Sequence, residues 1–341
     1  MLTRKCALMS RTRSLLRSRR LPWAPALCSV AMVLIAPHVA AQPVFPSKAI
    51  RILVGAPPGG SNDIFARAIG QHLNAAFGQP ALVDNRPGAG QMIAADLMAK
   101  SPPDGHTLYV TSTSFTTGAA LQPKLPFDPV KDVAGITMLG KGPLVFVVHP
   151  ALPAKSMKEL IALARAKPGQ LNFASSGIGG INHLGTEVFM AAARVKMVHV
   201  PYKGMSPAIT DLISGQVQVL LVSLPSVTGQ MKAGRLRALA VSTAKRSAFI
   251  PELPTVAESG VPGYDVSLWW GVFAPAKTPK PVIEKLNAEI RKALATSAMK
   301  KQFADFGAEP SPMTAEAFST VVKNEIATWS KVIKDANIKP E

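Results

Sequence analysis

The feature that most constrains the fold is a glycine-rich loop between a strand pattern and a helix pattern. Residues 50–54 form a largely apolar run that is typical of a buried strand, and Pro58-Gly59-Gly60-Ser61-Asn62-Asp63 follows shortly after it. Beyond the loop, apolar residues recur at the spacing of one helix face as far as Phe77. Two consecutive glycines let the backbone turn sharply and approach a ligand closely. The stretch therefore predicts a strand, a tight loop and a helix.

This loop has the chemistry of an anion site. Ser61 or Asn62 is a suitable N-cap residue, and the free N–H groups and positive dipole end of a helix start attract anions. The loop is neither a Walker A sequence nor G-x-G-x-x-G, so nothing in it favours a phosphate over a carboxylate. The alternative interpretation is a structural turn without a ligand.

The first 41 residues have the pattern of an export signal. Seven basic residues and no acidic residue are followed by an apolar run at 27–36 and by Val39-Ala40-Ala41. The run is shorter than the roughly 20 residues that a membrane span needs, and Cys28 lacks the small preceding residue of a lipid-anchor site. We expect cleavage near Ala41 and release of a soluble monomer into the periplasm. Cys6 and Cys28 would leave with the signal peptide.

The composition of the remaining 300 residues excludes several classes of protein. They carry 31 basic and 20 acidic residues, a net charge of +11, which suits anionic ligands. No basic stripe with interleaved aromatic residues indicates nucleic-acid binding. No His, Cys, Asp or Glu cluster has metal-ligand spacing, and no G-x-S-x-G or H-E-x-x-H motif is present. The sequence thus predicts no metal, no cofactor and no enzyme, with an exported hydrolase as the least favoured alternative.

Strand and helix patterns alternate along the chain. Predicted strands lie at 81–84, 108–110, 144–148, 171–174, 198–200, 217–222 and 236–241, and predicted helices at 156–167, 182–193, 225–233, 281–295 and 315–336. Small and hydroxyl-bearing residues follow several strands, as in the predicted loops at 111–114 and 175–180. Because ligands bind at the carboxyl ends of parallel strands, these loops are candidates for a binding site in an α/β fold.

Several motifs in one order carry a resemblance to a known family. They are Phe45-Pro46-Ser47-Lys48, the opening glycine loop, Asn85-Arg86-Pro87-Gly88-Ala89-Gly90, Asp104-Gly105-His106-Thr107-Leu108, Leu125-Pro126-Phe127-Asp128-Pro129, Ala174-Ser175-Ser176-Gly177, Val200-Pro201-Tyr202-Lys203-Gly204, Ser214-Gly215-Gln216-Val217-Gln218 and Leu236-Arg237-Ala238-Leu239-Ala240-Val241. Together they resemble the extracytoplasmic solute receptors of the tripartite tricarboxylate transporter family, also called Bug receptors. The resemblance covers nearly the whole chain after the signal peptide.

The resemblance implies a fold and a function. The expected fold is a type II periplasmic binding protein of two Rossmann-like lobes that close on a ligand in the cleft between them. Lobe 1 would comprise residues 42–142 and 266–341, and lobe 2 residues 143–265. The protein would capture a small organic acid for the membrane permease of a tripartite transporter. The alternative is a sensor that passes its loaded state to a two-component kinase.

The resemblance also implies which residues face the ligand. The candidates are Pro58, Gly59, Gly60, Ser61, Asn62, Asp63, Ser112, Thr113, Ser114, Ser175, Ser176, Gly177, His183, Tyr202, Lys203, Gly204 and Ser223. Ser223 stands near a position where many family members have Asp, so the sequence predicts a carboxylate without an amino group. The alternative is that Ser223 points into the sheet and does not meet the ligand.

For five residues the sequence leaves open whether the role is in ligand binding or in the structure. Lys203 is either a salt-bridge partner of the ligand or a solvated turn residue, and Tyr202 either caps the pocket or packs at its rim. His183 is a ligand contact or, as we favour, a structural histidine. Of Trp269 and Trp270, we expect one in the core and one in the cleft wall.

Overall fold

The computed structural model describes residues 45–122, 124–305, 307–335 and 338. The expected signal peptide and its cleavage site near Ala41 lie outside these residues. No helix in the described ranges has both the length and the apolar character needed to cross a membrane.

The strands agree with most of the predicted positions. In chain order they are β1 (Ile50–Val54), β2 (Ala81–Asn85), β3 (Thr107–Ser112), β4 (Val133–Val148), β5 (Asn172–Ser175), β6 (Val198–Pro201), β7 (Val219–Ser223), β8 (Arg237–Val241), β9 (Ser267–Pro275) and β10 (Glu309–Pro310).

The helices alternate with these strands. They are α1 (Ser61–Phe77), α2 (Met92–Ala99), α3 (Ser114–Leu121), α4 (Met157–Ala166), α5 (Ile181–Ala193), α6 (Met205–Ile213), α7 (Leu224–Lys232), α8 (Lys280–Ala295), α9 (Ser297–Asp305) and α10 (Ala315–Asp335). A 3₁₀ turn at Ala89–Gln91 precedes α2.

One long strand joins two halves of a single sheet. β4 runs antiparallel to β9 from Val133 to Pro143 and to β7 from Leu144 to Val148. The first sheet half contains β1, β2, β3, β9, β10 and β4 as far as Pro143; the second contains β4 from Leu144 and β5 to β8. Within the halves, β1 is parallel to β2 and β3, and β5 is parallel to β6 and β7. The parallel strands therefore flank antiparallel crossing strands.

Helices cover both faces of the sheet and explain its apolar strands. Ile52 on β1 and Phe65, Ile69 and Leu73 on α1 are fully buried in one cluster. Fully burying one such side chain contributes about 1.5–3 kcal/mol to stability. Because a parallel strand is covered on both faces, β1 reads as a nearly continuous apolar run rather than an alternating one.

The structure corrects several details of the sequence interpretation. α1 begins at Ser61 with Gly60 as its N-cap, so the prediction of a Ser61 or Asn62 cap was wrong. The predicted polar loop at 111–114 is the end of β3 and the start of α3. Trp269 and Trp270 are both buried in the core, so the expectation that only one of them would be a core residue was wrong. The predictions also missed α9, β10 and the first part of β4.

Candidate functional site

A cavity lies between the two sheet halves, where the loops after the parallel strands β1, β2, β3, β5, β6 and β7 meet. Its volume is about 450 Å³, which includes the open mouth. Its lining is Ala56, Pro57, Gly60, Ser61, Asn62, Gln91, Ser112, Ser114, Leu144, Ser176, Ile181, Asn182, Met205, Ser206, Ser223, Ser226 and Leu268. Leu144 on β4 and Leu268 on β9 form an apolar part of the cavity wall.

Five helices begin at this cavity. α1, α3, α5 and α6 contribute their first residues, and α7 contributes its N-cap residue Ser223. Each helix N-terminus carries free N–H groups and about half a positive charge. The lining residues that the structure describes include no ionisable side chain. The cavity is therefore electropositive through backbone dipoles alone.

Gln91 organises the polar wall of the first sheet half. Its Oε1 accepts hydrogen bonds from Asn62 Nδ2 and Thr111 Oγ1, both at 2.8 Å, and its carbonyl accepts one from the Tyr109 hydroxyl at 3.1 Å. These bonds fix the Gln91 side chain in the cavity wall. Gln91 has a φ of 79° and Ala89 one of 46°, conformations that L-residues rarely adopt. Such strain is typical of functional sites.

A chain of hydroxyl groups crosses the cavity. Ser61 Oγ accepts hydrogen bonds from Trp270 Nε1 at 3.0 Å and from Ser223 Oγ at 3.3 Å. Ser223 Oγ lies 2.8 Å from Ser226 Oγ. Because Ser61 begins α1 and Ser223 precedes α7, this chain links the two sheet halves across the space where a ligand would lie.

The wall of the second sheet half has its own network. Ser176 Oγ donates to Asn182 Oδ1 at 2.9 Å, and Asn182 Nδ2 donates to the Leu221 carbonyl at 2.6 Å. The Ile181 N–H donates to Ser114 Oγ at 3.2 Å and so connects α5 with α3. The first turn of α5 is thereby fixed against both walls.

Glycines let the two halves meet closely around the cavity. A Cβ at Gly204 would lie 2.5 Å from Pro57 Cγ and closer still to Pro57 Cδ. A Cβ at Gly90 would overlap the Ile178 carbonyl oxygen, and one at Gly179 would lie 3.2 Å from Gly118 Cα. These contacts describe a closed arrangement of the cleft.

The predicted residues divide into two sets. Seven line the cavity: Gly60, Ser61, Asn62, Ser112, Ser114, Ser176 and Ser223. Ten lie outside this lining: Pro58, Gly59, Asp63, Thr113, Ser175, Gly177, His183, Tyr202, Lys203 and Gly204. Most of the second set holds the loops that carry the first.

Asp63 holds the opening loop rather than facing the cavity. Its carboxylate accepts hydrogen bonds from the Gly59 N–H and Asn85 Nδ2, both at 3.0 Å, and pairs with Arg67. Burial opposes ionisation of Asp63, but the bonds from Arg67, Gly59 and Asn85 outweigh it and lower the pKa of the carboxyl. The neighbouring Pro58 carbonyl accepts from Ser206 Oγ at 3.3 Å.

Ser175 and His183 lie behind the loop that presents Ser176. Ser175 Oγ accepts the Gly177 N–H at 3.1 Å and lies 2.6 Å from His199 Nε2. His183 Nδ1 accepts the Gly179 N–H, and its ring stacks on His199 with centroids 4.0 Å apart. Burial, helped by His199, lowers the pKa of His183 to about 3, so this histidine is neutral. This position fits the structural interpretation of His183.

The remaining predicted residues also turn away from the cavity. The Tyr202 hydroxyl donates to Asp211 Oδ2 at 2.7 Å, and burial together with Asp211 raises the pKa of Tyr202 to about 12. Lys203 is exposed, and Gly204 packs against Pro57. Thr113 is the N-cap residue of α3, and its Oγ1 accepts the Trp269 N–H at 3.0 Å.

Sequence reasoning missed part of the lining, although one signal was present. Gly59-Gly60-Ser61-Asn62 and Gly179-Gly180-Ile181-Asn182 have the same pattern, and each begins a helix at the cavity. The repeated pattern could have identified Asn182. Gln91, Ser206 and Ser226 follow no such pattern, and only the folded chain brings them to the site.

Comparisons with known proteins place this geometry in a family. Residues 65–338 match the model of the tripartite tricarboxylate transporter family receptor. Protein BugT of Bordetella pertussis is 37% identical over 319 residues, which cover 92% of this chain and 98% of BugT.

Two solved structures of Rhodopseudomonas palustris proteins are similar. Rpa4515 with adipate is 34% identical with a TM-score of 0.84, and the match covers 87% of this chain and 100% of Rpa4515. MatC with bound malate is 31% identical with a TM-score of 0.81, and the match covers 85% of this chain and 100% of MatC. These relatives are binding proteins, in agreement with the prediction of a receptor rather than an enzyme. The chain belongs to the tripartite tricarboxylate transporter receptor family, whose members are two-lobed periplasmic solute-binding proteins.

Proposed function

We propose that this chain captures a small carboxylate without an amino group and delivers it to the membrane permease of a tripartite transporter. The family supports the receptor function, and relatives that hold adipate and malate support the ligand class. The observation that carries the proposal for this chain is a cavity where five helix N-termini meet and the described lining has no ionisable side chain.

The helix starts provide the binding energy for a carboxylate. Hydrogen bonds from backbone N–H groups to an ionised acceptor are shorter and roughly twice as strong as neutral ones. A helix dipole adds about 0.3–1 kcal/mol, and up to about 2 kcal/mol where the site is partly buried. Helix starts on both sides of the cavity can hold the two ends of a dicarboxylate.

The same cavity disfavours an amino-acid ligand. Burying an ammonium group without an anionic partner is costly, and the described lining contains no carboxylate. Ser223 lies in the lining, 95% buried, and offers a hydroxyl at the start of α7. Aspartate and glutamate should therefore bind more weakly than unaminated acids of the same length.

We assign roles to the predicted residues on this basis. The seven that line the cavity contact the ligand, together with Gln91, Asn182 and Ser206. Pro58, Gly59, Asp63, Thr113, Ser175, Gly177, His183, Tyr202 and Gly204 hold the loops, and Lys203 is a solvated turn residue.

The proposed architecture has lobe 1 at 42–142 and 266–341 and lobe 2 at 143–265. The change of partner of β4 after Pro143, from β9 to β7 and β8, supports the first boundary. The second boundary is supported by the change of partner at this point, since Val266 still bonds to the Ser242 carbonyl of lobe 2, whereas β9 pairs with the first part of β4 from Ser267 onward. The basic and apolar pattern of the first 41 residues supports export and cleavage near Ala41. We propose that the released receptor is a monomer.

A binding screen tests the function. Ligand-stripped protein beginning at Gln42 is heated with adipate, malate, succinate, aspartate and glutamate, and hits are measured by calorimetry. A ligand at 100 times its Kd stabilises the fold by about 2.7 kcal/mol. We expect stabilisation by at least one unaminated acid. Tight binding of an amino acid without competition from the plain acids would refute the proposed ligand class.

A further inference from the structure

The C-terminal helix places a carboxyl group directly behind the cavity wall. Glu325 lies on α10, and its Oε2 is 2.8 Å from Thr116 Oγ1 on α3 and 2.7 Å from Trp269 Nε1 on β9. The carboxyl is enclosed although the residue as a whole is only half-buried. Glu325 therefore connects α3 with β9, two elements that each contribute a residue to the cavity lining.

The hydrogen-bond distances around Glu325 favour an extra proton on its carboxyl group. Thr116 Oγ1 lies 2.8 Å both from Glu325 Oε2 and from the Thr113 carbonyl oxygen. A hydroxyl has one proton, so it cannot donate to both acceptors. If Oε2 carries a proton, it donates to Thr116 Oγ1, Thr116 donates to Thr113, and Oε2 still accepts the Trp269 N–H. A neutral carboxyl therefore gives each of these contacts its own proton, whereas an ionised carboxylate leaves Thr116 with one proton shared between two acceptors.

The surroundings of Glu325 also favour a neutral carboxyl. α3 and β9 carry no ionisable residue. Of the other elements packed on α10, β4 carries Lys141, which pairs with Glu309, and α8 carries Lys280, which pairs with Glu284 and with Glu316 of α10 itself. The lysines of α10 near this turn, Lys323 and Lys331, are exposed. Burial raises the pKa of Glu325 to about 7, although hydrogen bonds that Trp269 and Thr116 donate to the ionised carboxylate oppose this shift.

Two routes connect Glu325 with the cavity lining. Thr116 is in the first turn of α3, whose first residue Ser114 lines the cavity and accepts the Ile181 N–H. Trp269 precedes Trp270, whose indole N–H donates to Ser61 Oγ. Movement of α3 or β9 therefore changes the position of a cavity residue.

We propose that Glu325 is a positioning residue that takes up a proton when the cleft closes on an anionic ligand; this rests on the proposed function. A carboxylate bound at the start of α3 repels a negative charge held behind the same turn in a region of low dielectric. Ligand binding therefore favours protonated Glu325, and by linkage a proton on Glu325 favours the ligand. Affinity is highest at low pH and falls as pH rises, by no more than tenfold per pH unit because one proton is involved.

Calorimetry of the mature wild-type protein tests whether ligand binding is coupled to protonation of Glu325. Adipate and malate are titrated from about pH 6 to 8.5, each in two buffers of different ionisation enthalpy, which gives the number of protons bound with the ligand. We expect an uptake of up to one proton and a falling affinity across this range. Glu325→Gln keeps a neutral side chain of the same shape, so it should bind at every pH with the proton uptake lost. Glu316→Gln, on an exposed position of the same helix, is the matched control and should behave as wild type.

The possible results separate this inference from the proposed function. Binding without proton uptake, or uptake that persists in Glu325→Gln, overturns the role of Glu325 alone. If neither acid binds, the proposed ligand class fails and the coupling fails with it. Fluorescence of the ligand-free protein adds a direct measurement, since the Trp269 indole N–H bonds to Glu325. The emission should titrate near neutral pH in wild type and not in Glu325→Gln, and a flat wild-type profile also overturns the inference.

Discussion

Replacing one glycine at the closed cleft should separate ligand binding from folding. Gly204 has a φ of 120° and approaches Pro57 so closely that an added Cβ would lie 2.5 Å from Pro57 Cγ. Gly260 has a similar φ of 110°, but nothing lies within 4 Å of its Cβ position. Gly204→Ala therefore adds both backbone strain and a clash, whereas Gly260→Ala adds backbone strain alone.

The backbone strain affects folding, whereas the clash affects closure of the cleft and therefore ligand binding. A positive φ costs a non-glycine residue about 1–2 kcal/mol, and this strain is present in open and closed forms, so it lowers stability without changing affinity. The clash exists only where the cleft is closed. Overpacking of this kind costs about 1–3 kcal/mol, which corresponds to a roughly 5- to 150-fold loss of affinity. Gly204→Ala should thus bind 5- to 150-fold more weakly than Gly260→Ala.

Calorimetry with the best acid from the screen measures the affinities, and thermal unfolding without ligand measures the stabilities. We expect similar drops in melting temperature for the two variants and a loss of affinity only for Gly204→Ala. Equal affinities in both variants would show that the contact between Gly204 and Pro57 is not part of the ligand-bound form. Equal losses in both would show that strain in the second lobe, rather than closure, controls binding.

Three further changes test the site and its support. Ser61→Ala removes the acceptor of the buried Trp270 N–H, so it should cost about 1–3 kcal/mol in denaturant unfolding and weaken acid binding. Ser223→Asp places a carboxylate in the neutral lining, so calorimetry should show plain acids binding at least about tenfold more weakly, with aspartate or glutamate gaining. Glu325→Gln tests the raised pKa of Glu325 through stability. Folding favours the neutral form of the Glu325 carboxyl, whose pKa rises from 4.5 to about 7. The free energy of unfolding of the wild type should therefore fall relative to that of the variant as pH rises through this window, by at most roughly 3 kcal/mol. A constant difference across that window would contradict the assignment.

The sequence predicted the loops of the site better than its side chains. The Gly-Gly turn before α1 and the serines after β5 could be recognised because strand, loop and helix patterns are local. Gln91 could not be recognised, since its role depends on Asn62, Thr111 and Tyr109 meeting it in the folded chain. The N-cap of α1 was misplaced for a similar reason. Ser61 is a good capping residue by local rules, but its hydroxyl is engaged by Trp270, 209 positions away along the chain.

The strand predictions fail where the two halves join. The long strand β4 begins with Val133-Ala134-Gly135, and its first part pairs with β9 through two register shifts. Gly135 and Gly140 sit in this part because Phe318 and Phe303 pack against them. Glycines weaken a local strand pattern, so a segment chosen for close packing with α9 and α10 does not look like a strand in the sequence.

A neutral site built from helix starts suits a receptor that must release its ligand. α1 and α3 begin on the first sheet half, whereas α5, α6 and α7 begin on the second. When the lobes separate, the ligand loses one of these groups at once. With about 0.3–2 kcal/mol per helix start, the three starts on the second half account for roughly 1–6 kcal/mol. An arginine or lysine in the cavity would instead attract the anion over a longer range and hold it in the open cleft. Because the described lining offers helix dipoles, hydroxyls and side-chain amides but no charged group, we expect affinity to depend on closure and the acid to be released when the cleft opens.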